Sequence, residues 1–170
     1  MPVGNLEFIK SASGTSVSSL SVTDCFSADY DVYKVVGTDF NPSTEFNLEL
    51  RYIDSGGSVI STSTYDRAFL NMTSYASFSE SATPNATSII AIGTNEANGN
   101  GFNFEIYNPF SASSYTFNTN QASSDHTSGG RGYKGINLEK STTSVTGLYF
   151  FVASGTFDIN NISVYGLASN

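Results

Sequence analysis

The sequence predicts an all-β fold: one antiparallel, jelly-roll-like β-sandwich of about 8–10 strands. Three observations lead there. The chain carries 13 Phe and 10 Tyr, and aromatic residues suit a pleated, half-buried surface. Only 13% of residues are charged; Ser, Thr, Asn and Gly fill the polar surface, and these are weak helix formers. Short apolar runs with a period of two recur along the chain, each closed by turn residues. No stretch reads as a helix. A length of 170 residues favours one domain over 1–170, with flexible ends at 1–5 and 168–170.

In chain order, Leu6 to Ile9 reads as a short edge strand and Ser11 to Ser19 as a polar loop. Leu20 and Val22 suit a short strand ending near Asp24. Tyr30 to Val36 reads as the next strand, and Thr38 to Thr44, with Asn41-Pro42, as a turn. The cleanest signal is Phe46 to Ile53. There Phe46, Leu48, Leu50 and Tyr52 alternate with polar residues, so one face meets a core and the other meets water. Asp54-Ser55-Gly56-Gly57 then reads as a hairpin turn, with Val59 to Tyr65 returning antiparallel.

Phe69, Leu70 and Met72 fit a strand, and Ser79 to Thr87, with Pro84, reads as loop. Ser88 to Ile92 is a compact buried strand, and Gly93 to Gly101 a turn-rich connection. Phe102, Phe104 and Ile106 mark a further strand, broken at Asn108-Pro109. Tyr115, Phe117 and Thr119 form the next. Asn120 to Gly130 reads as the longest polar loop.

The stretch Arg131 to Leu167 closes the sandwich. Tyr133 to Leu138 is a strand whose Gly135 points to a bulge or a close backbone approach. Leu148 to Ala153 is apolar on both faces and therefore central, and Ile162 to Leu167 is the last strand. Arg131, Tyr133 and Lys134 read as the entry to a strand. The value of this stretch is as scaffold.

The net charge is −8 and seven basic residues are scattered along the chain. Nucleic-acid binding needs clustered Lys and Arg, so neither nucleic acid nor an anionic membrane is an expected partner. One cysteine, Cys25, allows no internal disulfide. The start, MPVGNLEFIK, has no basic and apolar leader pattern, and no run of about 18 apolar residues marks a membrane helix. Asn-x-Ser/Thr sequons at Asn71, Asn85 and Asn161 are expected by chance in so Ser- and Thr-rich a chain.

No catalytic or cofactor-binding residue is assigned. His126, the sole histidine, lies near Asp125 and Gly129, where a solvated loop is a simpler reading than a triad base. Cys25 has no neighbour to lower its pKa and reads as a small buried thiol. Asp24, Asp29 and Asp31 form the tightest acidic group. Asp29-x-Asp31 beside Tyr30 offers carboxylates for a structural calcium, but no EF-hand spacing follows, and an ordinary acidic turn is preferred. No metal or other cofactor is therefore expected. Trp is absent, so most aromatic residues read as core; Tyr65, Tyr75, Tyr107 and Phe110 are the candidates for surface contact.

The blocks LEFIKSASGTSVSSLSVTDCFSADYDVYKVV, LELRYIDSGGSVI, YNPFSASSYTF, RGYKGI and ISVYGL, in that order, resemble short virion proteins of marine tailed bacteriophages. The resemblance implies a jelly-roll or galactose-binding-like β-sandwich decorating the virion surface after assembly in the host cytoplasm. It implies a non-enzymatic structural protein, first of all a capsid decoration or cement protein. Its partners would be the major capsid protein or other virion proteins, with a homotrimer as one expected form. The alternative is a tail-fibre or adhesin module for host attachment that binds surface glycans. A carbohydrate-active enzyme ranks third. The resemblance supplies no functional residues.

Overall fold

The computed structural model describes residues 5–93 and 98–168, which form two antiparallel sheets sharing one hydrophobic core. Its strands are β1 (Leu6–Val17), β2 (Ser19–Val22), β3 (Val32–Pro42), β4 (Leu48–Asp54), β5 (Tyr65–Thr73) and β6 (Ser79–Ala86), then β7 (Ile89–Ile92), β8 (Asn100–Tyr107), β9 (Thr116–His126), β10 (Gly129–Glu139), β11 (Val145–Phe151) and β12 (Phe157–Leu167). No helix occurs among the described residues. The larger sheet has eight strands in the order β1-β12-β3-β8-β9-β10-β5-β6, and the smaller has four, β2-β11-β4-β7. The all-β sandwich is the expected architecture.

Alternation builds the core. On β4, Leu48, Leu50 and Tyr52 are fully buried, and on β8, Phe102, Phe104 and Ile106 face the same interior. Each such side chain contributes roughly 1.5–3 kcal/mol by leaving water. In the smaller sheet β11 lies between β2 and β4, which confirms its central place. Only one of its faces is core: Leu148 and Phe150 point inward, while Tyr149 and Phe151 stack on the outer side under the Arg51 guanidinium, 4.4 Å from the Phe151 ring.

Polar stretches expected to be loops pair into the larger sheet, where they lengthen its strands and add one. Residues 11–17 continue β1 along β12, with register shifts between Phe8 and Lys10 and on either side of Gly14. As an edge strand β1 buries little, so its small polar residues cost nothing there. Residues 38–42 continue β3 rather than turning. Its pairing with β8 shifts between Gly37 and Phe40, where Asp39 takes φ 54°, as in a bulge. Residues 79–86 form β6, the opposite edge strand, carrying Glu80 and Pro84. The expected 120–130 loop is instead the tip of a long hairpin, β9 running to His126 and β10 starting at Gly129.

The turn at residues 54–57 forms as expected. The Gly57 N–H donates to Asp54 O over 2.9 Å, and Gly57 takes φ 82°. The return strand does not form. Val59 makes an isolated bridge to Ile53, Ile60 N–H donates to Tyr52 O, and the chain then crosses to the other sheet, where Tyr65 opens β5. Ser61 to Thr64 has no apolar face to hold it against β4, whereas the Tyr65 ring is fully buried.

Gly135 sits in unbroken register with both neighbours, so no bulge occurs there. The close approach does: a Cβ at this position would lie 2.5 Å from Asn120 Oδ1. Part of the expected 93–101 connection, residues 94–97, lies outside the described residues. So do 1–4 and 169–170 of the expected flexible ends, while Ala168 N–H donates to Asn5 O.

Candidate interaction surface

The outer face of the larger sheet exposes apolar side chains from its interior strands. Ile136 on β10 is 64% exposed, Phe117 on β9 is 49% exposed and Leu70 on β5 is 40% exposed. β10 has β9 on one side and β5 on the other, so Ile136 stands in the middle of a sheet face. In register it sits beside Thr119 and Ala68, and Ala68 sits beside Ala82. The row towards one end holds Tyr107, Phe117 and Leu138. The row towards the other holds Gln121, Lys134, Leu70 and Glu80.

Side-chain height turns this face into relief. Ala68, Ala82 and Thr119 are low, and the taller Ile136 stands among them. A groove of about 500 Å³ runs past Ile136 towards Tyr107, Phe117 and Pro84. A second of about 640 Å³ lies on the Leu70 and Lys134 side and shares the Ala68, Ala82 and Thr119 floor, with Ile136 rising between the two. Contiguous exposed apolar surface of this kind marks contact sites on soluble proteins.

The inner face explains why these side chains point outward. Three asparagines occupy core positions on β9 and β10, Asn118, Asn120 and Asn137, all nearly fully buried. The Asn137 amide donates to Asn118 Oδ1 at 2.7 Å and to Asn120 Oδ1 at 3.1 Å. The Asn118 amide donates to the Tyr52 hydroxyl at 2.8 Å, and the Asn120 amide to Ile90 O at 3.3 Å. Nearby, buried Glu139 accepts from Ser141 N–H at 3.0 Å and from its hydroxyl at 2.6 Å. A one-residue slip of β9 or β10 would bury Phe117 or Ile136 but break this amide network, so the buried amides hold the phase.

Charges around the patch alternate in sign. Lys34 sits beside Glu105 in register, and Lys134 and Glu80 flank Leu70. Lys140 Nζ donates to Asp66 Oδ1 at 2.8 Å and to Asn85 Oδ1 at 2.6 Å. The Lys140 bond, then the Asn85 N–H, hold the Asp66 carboxyl below its usual range.

The sequence candidates distribute as follows. Tyr65 is no surface residue: it is fully buried, donates to Ile60 O at 2.8 Å and accepts from Tyr52 N–H at 3.0 Å. Tyr107 is half-buried and lines the groove, while Phe110 is exposed beside a small cleft it shares with Tyr30 and Asn108. Tyr75 is exposed and stacks on His126, with ring centroids 5.1 Å apart. His126 ends β9 rather than lying in a loop, and its Nδ1 accepts from Ser128 N–H at 3.1 Å. The neighbouring Asp125 carboxylate accepts from the Asn98 amide, not from His126.

Cys25 is buried, with its thiol directed at Val22 O over 3.3 Å; burial pushes its pKa up to about 12. Of the acidic group, Asp29 accepts from the Ser27 hydroxyl and Asp24 takes φ 51°. No group of three or more His, Cys, Asp or Glu arranged to hold a metal occurs among the described residues.

Sequence reading missed Phe117, Ile136 and Leu70 as surface residues. One signal was present: Ile136 is out of phase with Tyr133, so a buried Tyr133 requires an exposed Ile136.

No protein-family model matches the sequence. No curated protein matches it. Among solved structures, the chain is similar to the carbohydrate recognition domain of Emp47p, at 8% identity and a TM-score of 0.39, over 96% of this chain and 95% of that one. It is similar to the fructosyltransferase from A. japonicus at 9% identity and a TM-score of 0.38, over 98% of this chain and 27% of that one. It is also similar to domains LG4-5 of the mouse laminin alpha1 chain, at 10% identity and a TM-score of 0.33, over 96% and 43%. Likenesses this weak carry no function to this chain.

Proposed function

We propose that this protein is a non-enzymatic structural component of a phage virion surface, first of all a capsid decoration or cement protein. The observation that carries the reading is the apolar face that Ile136, Phe117 and Leu70 form on the interior strands of the larger sheet of an acidic chain. Exposing these side chains costs solubility unless another protein covers them. A rigid sandwich with such a face suits assembly, with its sheet edges and loops left to meet a preformed protein lattice. The order of sequence blocks resembling tailed-phage virion proteins points the same way. Quantitative mass spectrometry of purified particles tests it. The expected result is many copies per particle; a copy number of only a few contradicts capsid decoration.

The alternative is a tail-fibre or adhesin module that binds host glycans. It is favoured by the exposed Tyr75 ring stacked on His126, since a sugar face packs on an aromatic ring. A glycan array gives binding that is lost in Tyr75→Ala on this reading. No binding by the native protein removes it.

A further inference from the structure

We propose that two copies of this chain pair through the outer face of the eight-stranded sheet, centred on Ile136. The proposal rests on the assembly reading above and names the partner of that same surface.

Charge selects the partner. The chain has net charge −8, so two copies repel each other over most approaches. The face around Ile136 is an exception. Its charged side chains are Lys34, Lys134 and Lys140 against Glu105, Glu80 and Asp66. The face thus holds three of the chain's seven Lys and Arg residues and is locally neutral. A contact between identical patches needs each patch to complement itself, with both signs at the rim and apolar groups at the centre. This face has Ile136 and Phe117 at its centre and alternating signs around them. A strongly basic or strongly acidic partner would find no matching charge on it.

Size sets the strength. Six strands spaced about 4.8 Å apart, with outward rows about 7 Å apart, give a patch roughly 25 Å by 20 Å. That lies at the small end of specific interfaces, so pairing is expected in the micromolar range or weaker. Crowding of copies on one particle would then favour the paired form.

The test is analytical ultracentrifugation of the full chain from about 1 µM to about 1 mM, with Ile136→Glu and Phe117→Glu as variants. Both side chains point into solvent, so thermal melting should match the native protein and show that the variants fold. The expected result is a native monomer–dimer equilibrium whose dissociation constant rises about tenfold or more in each variant. A native protein that stays monomeric over the whole range overturns the proposal, as does a dimer that both variants leave intact. Copy number on purified particles separates this from the virion reading. A monomer abundant on particles, with Ile136→Glu failing to bind them, gives the face to another virion protein and sinks only the pairing. A dimer absent from particles sinks only the virion reading.

Discussion

The Asn118 side-chain amide donates to the Tyr52 hydroxyl over 2.8 Å and so ties the eight-stranded sheet to the four-stranded one inside the core. Tyr52 is fully buried, and its ring stacks on Tyr65 at 6.2 Å. Tyr52→Phe keeps the ring and strands the Asn118 amide in the core. The expected loss is about 1–3 kcal/mol in urea unfolding. Asn118→Leu should cost more, because it leaves both the Tyr52 hydroxyl and an Asn137 donor without their partner.

Gly37 on β3 is a second point where the core admits no change. A Cβ there would lie 2.2 Å from the ring of Phe102, which is packed against Phe104 and Phe150 and has nowhere to move. Gly37→Ala is expected to lower stability by about 1–3 kcal/mol through overpacking. Gly37→Ala combined with Phe102→Leu should recover part of that loss. The melting temperatures of the two variants check it.

Stability should fall at alkaline pH. Burial pushes the Cys25 thiol up to about 12 from its ordinary 9.0, and burial also raises the Tyr52 and Tyr65 hydroxyls above their ordinary range. The fold keeps these protons where the unfolded chain has begun to lose them. The unfolded state then binds fewer protons, so stability is fully present below about pH 9 and declines as pH rises towards 12. The slope is up to about 1.4 kcal/mol per pH unit for each group. Denaturant unfolding between about pH 8 and about pH 11 measures it. Cys25→Ala should flatten the onset, and the native thiol should resist alkylation until the protein unfolds.

The fold class was legible because Leu48, Leu50 and Tyr52, and likewise Phe102, Phe104 and Ile106, carry their burial in plain alternation. The exposed apolar face was not legible for the opposite reason. On β9 the core positions are Thr116, Asn118, Asn120, Ala122 and Ser124, which look like solvent-facing residues, while outward Phe117 looks like core. Hydrophobicity read along one strand assigns the wrong face when a buried amide network across two strands holds the register. The second half of edge strand β1 and all of edge strand β6 were hidden differently: they bury little, so their sequences carry no alternation to read. Tyr65 looked like a loop aromatic because its partners, Tyr52 N–H and Ile60 O, become neighbours only once the chain crosses between sheets.

A cryo-electron microscopy reconstruction of intact particles tests most directly where the protein sits. The expected density is a two-sheet sandwich repeated over the outer surface of the capsid, with the Ile136 face covered by protein. A shell with no such density, or a sandwich whose Ile136 face is open to solvent at every position, would contradict it.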